Sequence, residues 1–171
     1  DIDALAEETT GIPLRTLTRS EADELKLLEE KLKRNVLGQD SAVKAICAAV
    51  RRAKTHSSEG ERPMCSLLFA GSGGVGKTLC CKTLADCVFG GEKRLIRLDL
   101  SEFTEQHSVS RLIGSPPGYV GFGDGGALTE RVRHEPFSLV LFDGAEKAHP
   151  DILSLIYEIL DSGKLTDAAG L

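Results

Sequence analysis

The sequence predicts an α/β domain, a parallel sheet packed between helices, and three observations carry that expectation. Short apolar runs stand at 66–70, 94–100 and 138–142, separated by segments of helical periodicity. The first run ends in a glycine-rich turn, 71–76, that leads directly into a helical segment. The strand–helix order then repeats along the chain, the pattern of parallel strands joined by crossovers.

The elements follow in order. Residues 1–19 have little periodicity and end in a turn-rich stretch that includes Gly11-Ile12-Pro13, so they read as a linker ahead of a domain at 20–171. Ser20 stands three residues before Asp23, a variant of the capping box, and Leu25, Leu28 and Leu32 follow at helical spacing. A helix is therefore expected over 21–35. Gly38-Gln39-Asp40 breaks it, and Val43, Ile46, Cys47 and Val50 mark a second helix ending near Lys54. The polar stretch 55–63 is a loop. Ser66 to Ala70 has the form of a buried parallel strand, and Lys77 to Val88 that of a helix closed by Gly90-Gly91. Arg94 to Leu100 and Ser138 to Phe142 are the second and third strands. Between them a short helix is expected at 105–113, a Gly/Pro-rich loop at 114–126 and a helix near 128–134. Ile152, Leu155, Ile156 and Ile159 define a last helix that stops at Ser162-Gly163.

Composition narrows the function. With 171 residues, 41% hydrophobic and 27% charged, the chain can bury a core without staples. The net charge of -5 argues against a nucleic-acid partner, which needs a basic face. No apolar run is long enough to span a bilayer, so no membrane partner is expected. The five cysteines (Cys47, Cys65, Cys80, Cys81, Cys87) lack a paired Cys-x-x-Cys spacing and read as reduced core thiols of an intracellular protein.

The chemistry lies in two motifs. Gly71-Ser72-Gly73-Gly74-Val75-Gly76-Lys77-Thr78 matches G-x-x-x-x-G-K-[ST] in full. Glycines let the backbone wrap closely and turn its N–H groups toward phosphates, and the following helix adds its dipole. Lys77 supplies a point charge for the β- and γ-phosphates, and the Thr78 hydroxyl can coordinate Mg²⁺. ATP and Mg²⁺ are the expected cofactors. The second motif is Leu139-Val140-Leu141-Phe142-Asp143, four apolar residues and an aspartate, the form of a strand whose carboxylate holds Mg²⁺ through water. In hydrolysing members of the P-loop superfamily a glutamate follows that aspartate and polarises the attacking water; here the position is Gly144. Glu146 is the candidate substitute, provided the strand continues past Asp143.

With these residues in hand, the chain resembles the second AAA+ module of the Clp-class ATP-dependent chaperones, the ClpA, ClpB and ClpC unfoldases and disaggregases. The resemblance runs over nearly the whole chain. Gly11-Ile12-Pro13-Leu14 looks like the family segment that lies against adenine, so Ile12 and Pro13 are implied nucleotide contacts. Val36-Leu37-Gly38-Gln39-Asp40-Ser41-Ala42-Val43 is similar to a signature beside the same pocket, which implies Leu37, Gly38 and Gln39. Leu98 to Phe103, Gly114 to Gly121, Glu146 to Asp151 and Asp161 to Asp167 match further family segments in the right order.

The resemblance implies a P-loop NTPase fold, a three-layer αβα sandwich. It implies ATP hydrolysis coupled to polypeptide remodelling and threading, with Tyr119 and Val120 gripping the client on a loop that faces the pore of a homo-hexamer. It further implies a cytoplasmic or organellar (plastid or mitochondrial) interior and leaves room for a docking peptidase. The family's sensor asparagine, arginine finger and small helical domain would follow Leu171. So would a strand lying between the first and third, which makes the sheet incomplete on its C-terminal side. Gly144 keeps a second reading open, a module that binds nucleotide for ring assembly or regulation without turning it over. A guanine-nucleotide switch finds no support, since Asn35 is the only asparagine and no Asn-Lys-x-Asp motif can be built.

Overall fold

The computed structural model describes residues 21–55, 62–116, 118–119, 125–168 and 170, and these divide into two units. The first is drawn from 1–57, 64–95 and 137–139, the second from 58–63, 96–136 and 140–171. The linker proposed at 1–19 lies outside the described residues.

The first unit is built on three helices: α1 (Glu21–Asn35), α2 (Asp40–Thr55) and α3 (Lys77–Val88). Each follows from its apolar spacing. Leu28 and Leu32 of α1, Val43, Ile46, Cys47 and Val50 of α2, and Cys80, Leu84 and Val88 of α3 form one buried core, closed by Val36. Polar ties run across it. Lys31 Nζ donates to Asp86 at 2.7 Å, Asn35 Nδ2 donates to Thr83 Oγ1 at 3.1 Å, and Lys54 is paired with the buried Glu24. The cysteines are all free thiols, and burial pushes those of Cys47, Cys65 and Cys80 up.

The second unit centres on a two-stranded parallel sheet, β1 (Leu95–Asp99) beside β2 (Leu139–Asp143). Ile96 and Leu98 of β1 are buried, while Arg97 and Asp99 lie exposed on the opposite side, as the two-residue period requires. Helices α4 (Val109–Ile113), α5 (Thr129–His134) and α6 (Pro150–Ser162) complete the unit. Leu98, Leu100, Phe103, Leu112, Leu128 and Ile152 form its core, with Val140, Phe142, Ile156 and Ile159 packed against it. The helix expected over 105–113 begins as a 3-10 turn, Gln106–Ser108. The start of α6 is set by Pro150 in its first turn and by His149, whose Nδ1 accepts from the Asp151 N–H at 3.2 Å. Its end is Gly163, at φ 72. Arg133 of α5 donates to Asp167 at 2.7 Å, which anchors the segment after α6.

One expected element is absent. Residues 66–70 form no strand, and Leu67 and Leu68 are 39% and 93% exposed rather than buried. The physical reason is pairing. An apolar run becomes a strand when a neighbour satisfies its N–H and C=O groups, and among the described residues the sheet contains β1 and β2 alone. The α/β class stands, with a narrower sheet than the sequence implied.

The base of the 114–126 loop is packed tightly. The Ala127 and Leu128 N–H groups donate to the carbonyls of Arg111 and Leu112 at 2.8 and 3.1 Å, so the chain returning from the loop lies directly against α4. A Cβ on buried Gly126 would stand 2.1 Å from the Leu112 carbonyl oxygen and 2.6 Å from Ile113 backbone atoms. Backbone cannot yield as a side chain can. Gly126→Ala is therefore expected to destabilise the protein by about 2–3 kcal/mol, the upper range for overpacking, measurable by denaturant unfolding. A change within experimental error would show that this limb is not seated as described.

Candidate functional site

The glycine turn 71–76 caps α3 in an unusual way. Its N-cap, Gly76, sits at φ 99 with no side-chain cap, and the first turn of α3 contains no acidic residue. The leading N–H groups of a helix have no acceptor within the helix, so this end presents free donors and the positive end of the helix dipole. That is what an anion requires. Gly74 is also left-handed, at φ 79. Gly71 to Gly74 are exposed, while Val75 to Thr78 are half-buried at the helix start.

Lys77 folds back over the loop, and its Nζ donates to the carbonyls of Gly71 and Ser72 at 2.8 Å each. The ammonium is thus held on two carbonyls of the turn, without a carboxylate partner in either bond. Both acceptors are exposed, so water can replace the lysine on them at small cost.

The turn also has a neighbour in Val36, the first residue of the 36–43 signature segment, which the sequence did not mark as a contact of the glycine turn. A Cβ on Gly76 would lie 3.1 Å from Val36 Cγ1, and with φ 99 this doubly requires glycine. Val36 is a buried core residue, and the Leu37-Gly38-Gln39 turn follows it immediately. Leu37 is 82% exposed and directly follows Val36 in the chain. Gly38 makes the turn at φ 72, and the Gln39 carbonyl accepts from the Val43 N–H at 2.9 Å to start α2. Ile12 and Pro13 lie outside the described residues.

In the second unit, Asp143 ends β2, half-buried, and Arg97 Nη2 and Nε donate to its Oδ2 at 2.7 and 3.1 Å. The sequence signal for Arg97 was a charge in the middle of a strand, on the same side as Asp99. Gly144 leaves the strand at φ 73, and Ala145–Lys147 form a 3-10 turn. The premise for Glu146 is therefore corrected: the strand does not continue past Asp143, and Glu146 is exposed on that turn. A left-handed residue ends a strand because its carbonyl and N–H no longer point along the ladder.

A Cβ on Gly144 would lie 3.7 Å from Ser101 N and 3.8 Å from Asp99 Oδ1, ordinary contact distances. Asp99 itself is held by Ser101, whose Oγ and N–H donate to its Oδ1 at 2.6 and 3.0 Å, and these bonds keep its carboxyl below the usual range.

The Thr78 hydroxyl at the start of α3 and, in the other unit, the Asp143 carboxylate at the end of β2 are each hard oxygen donors of the kind that Mg²⁺ takes along with waters and substrate phosphates. Among the described residues no group of three or more His, Cys, Asp or Glu side chains could hold a metal alone. No helix among them is long and apolar enough to cross a membrane.

Tyr119 is 71% exposed at a turn in which its N–H donates to the Pro116 carbonyl at 3.2 Å and Gly118 takes φ 90. An aromatic ring so placed touches little of its own unit. Val120 lies outside the described residues.

Comparison with known proteins bears on these features together. A sequence model of the AAA domain (Cdc48 subfamily) matches residues 62–171. The chain is 50% identical over 170 residues to the rice (Oryza sativa subsp. japonica) protein named chaperone protein ClpB3, mitochondrial, covering 99% of this chain and 17% of that protein. Against chaperone protein ClpC1, chloroplastic, of Arabidopsis thaliana it is 50% identical over 170 residues, 99% of this chain and 18% of the relative. Against chaperone protein ClpB of Helicobacter hepaticus it is 48% identical over 162 residues, 95% and 19% of the two chains. The chain thus spans less than a fifth of the length of these three relatives.

Proposed function

The chain belongs to the AAA domain family (Cdc48 subfamily), and on that premise we propose that it binds ATP with Mg²⁺ as a module of a Clp-class protein unfoldase or disaggregase. The observation that carries the reading is the start of α3. Its uncapped N-terminus, left-handed Gly74 and Gly76, and Lys77 held over the turn form an anion cradle with no acidic residue in the first helical turn.

In this reading the 71–78 backbone binds the phosphates, Lys77 moves from the Gly71 and Ser72 carbonyls to the β- and γ-oxygens, and Leu37 offers an apolar surface to the base. Ile12, Pro13, Gly38 and Gln39 complete the adenine side. The Thr78 hydroxyl and, through water, the Asp143 carboxylate serve Mg²⁺, which when bound neutralises charge on the transferring phosphoryl group. Titration of the purified protein with ATP and with GTP, each with and without Mg²⁺, tests it. Mg²⁺-dependent binding that favours ATP is expected; no nucleotide binding would overturn the assignment.

Client handling belongs to Tyr119. We place it, with Val120, on a loop that grips an extended polypeptide in a homo-hexameric ring, in keeping with relatives named as chaperones. Tyr119→Ala is expected to lower threading of an unfolded client by roughly fivefold while leaving ATP affinity unchanged, since an aromatic contact is worth about 1 kcal/mol beyond its area. A parallel loss of both would make the tyrosine structural. Relatives with mitochondrial and chloroplastic in their names support a cytoplasmic or organellar interior, where a peptidase could dock beneath the ring. Gly144 specifically favours a second reading, in which this module holds nucleotide for assembly or regulation and hydrolyses it slowly.

A further inference from the structure

The geometry points to Arg97 as the residue that sets the Mg²⁺ requirement of this module, by neutralising the Asp143 carboxylate until the cation arrives. The inference rests on the ATP–Mg²⁺ reading above and deepens it.

The bond pattern is specific. Arg97 Nη2 and Nε both donate to one oxygen, Oδ2, at 2.7 and 3.1 Å. The residues come from paired strands, with Arg97 in the middle of β1 and Asp143 at the end of β2. Arg97 is additionally fixed at its backbone, where its carbonyl accepts from Arg131 Nη1 at 3.3 Å. The guanidinium brings its positive charge onto that oxygen through a planar fork of donors.

The sign of the effect follows from charge alone. A cation served by Asp143 meets a carboxylate whose charge is already offset by a neighbouring +1, whether Arg97 leaves Oδ2 or stays on it. Either way the guanidinium opposes Mg²⁺. When it swings away, it is not stranded: Asp99 lies on the same side of β1, two residues on, and Arg97 together with Lys147 already acts on that carboxylate. Asp99 in turn keeps its own hydrogen bonds from Ser101, so it can receive the guanidinium without giving up a partner. Arg97 is in this sense a positioning residue. It fixes the Asp143 carboxylate and tunes its affinity for the cation without touching nucleotide.

The size of the effect is bounded by exposure. The side chains of Arg97 and Asp143 are 51% and 31% exposed, and pairs of that kind couple weakly. An exposed pair contributes about 0.2–1 kcal/mol, which corresponds to roughly a 1.4- to 5-fold change in binding.

The test is a Mg²⁺ titration of ATP binding in the full-length protein, read by fluorescence of a labelled ATP analogue rather than by turnover. Arg97→Gln is expected to lower the half-saturating Mg²⁺ concentration by a factor within that roughly 1.4- to 5-fold range. Arg97→Lys, which keeps the charge, is expected to stay within twofold of wild type. In the Asp143→Asn background the Arg97→Gln shift should vanish.

Mg²⁺-dependent binding with an unshifted or raised half-saturation in Arg97→Gln overturns the inference and leaves the nucleotide assignment standing. An equal shift in Arg97→Lys or in the Asp143→Asn background also overturns it. Absence of Mg²⁺-dependent ATP binding in the wild type overturns both.

Discussion

Replacing Lys77 with alanine is expected to weaken ATP binding roughly 10- to 150-fold with little change in fold stability. A hydrogen bond to a charged group is worth about 1.5–3 kcal/mol, which sets that range. The small structural cost follows from the partners Lys77 has without ligand. These are two carbonyls, Gly71 and Ser72, on exposed residues that water can satisfy in its absence. Calorimetric titration with ATP measures the first quantity and denaturant unfolding the second. Equal ATP affinity in the two proteins would sink the phosphate-loop assignment. A large loss of stability would mean that the lysine holds the loop rather than the ligand.

The second large effect concerns Gly144. Loss of a water-orienting base costs about 10²–10⁴ in rate, so Gly144→Glu is expected to raise turnover of this module by a factor in that range. A stability cost accompanies the gain. Gly144 is left-handed at φ 73, a conformation that costs a side-chain-bearing residue roughly 1–2 kcal/mol. The new Cβ would clash with nothing, being 3.7 Å from Ser101 N and 3.8 Å from Asp99 Oδ1. The added carboxylate would nevertheless begin beside the ionised Asp99. The variant should therefore be faster yet melt lower, by about 2–4 °C for each kcal/mol. Single-turnover hydrolysis and thermal unfolding of the same preparation check both halves. An unchanged rate, or a wild type that already cycles as fast as the variant, would remove Gly144 as the cause of slow hydrolysis.

Local signals were legible in the sequence wherever a segment's structure depends on its own residues. Helix α1 ends at Asn35 and α3 spans 77–88 as expected, because apolar spacing and glycine punctuation decide such limits. The end of α6 at Ser162 before Gly163 was legible for the same reason. Leu67 and Leu68 show the converse. Their hydrophobicity and length are those of a buried strand, yet strand formation depends on a neighbour that periodicity cannot supply.

The candidate site divides in the same way. Glycines, lysine and threonine at fixed spacing announce a phosphate loop within eight residues. Arg97 is set by pairing between strands more than 40 residues apart, and Val36 by packing across a similar distance. Neither distance could be read from composition or spacing. The strand's end at Asp143 was not legible, because it is set by the left-handed turn of Gly144, and that places Glu146 on a 3-10 turn rather than on the strand.

The seating of Gly126 against α4 has a mechanical meaning. If Tyr119 bears a pulling load, that load leaves the 114–126 loop through its two ends. On one side the Gly114 N–H is bonded to the Ser110 carbonyl at 2.8 Å; on the other, Ala127 and Leu128 are bonded to Arg111 and Leu112. Both ends are clamped to one short helix. A third bond, from the Ala168 N–H to the Ile113 carbonyl at 3.0 Å, ties that helix to the segment following α6. Tension at the tyrosine is thus delivered to α4 as a single mount, with almost no slack at the root. Compliance added there, by Gly insertion beside Gly126 for example, would dissipate each stroke as stretch before it moved anything else.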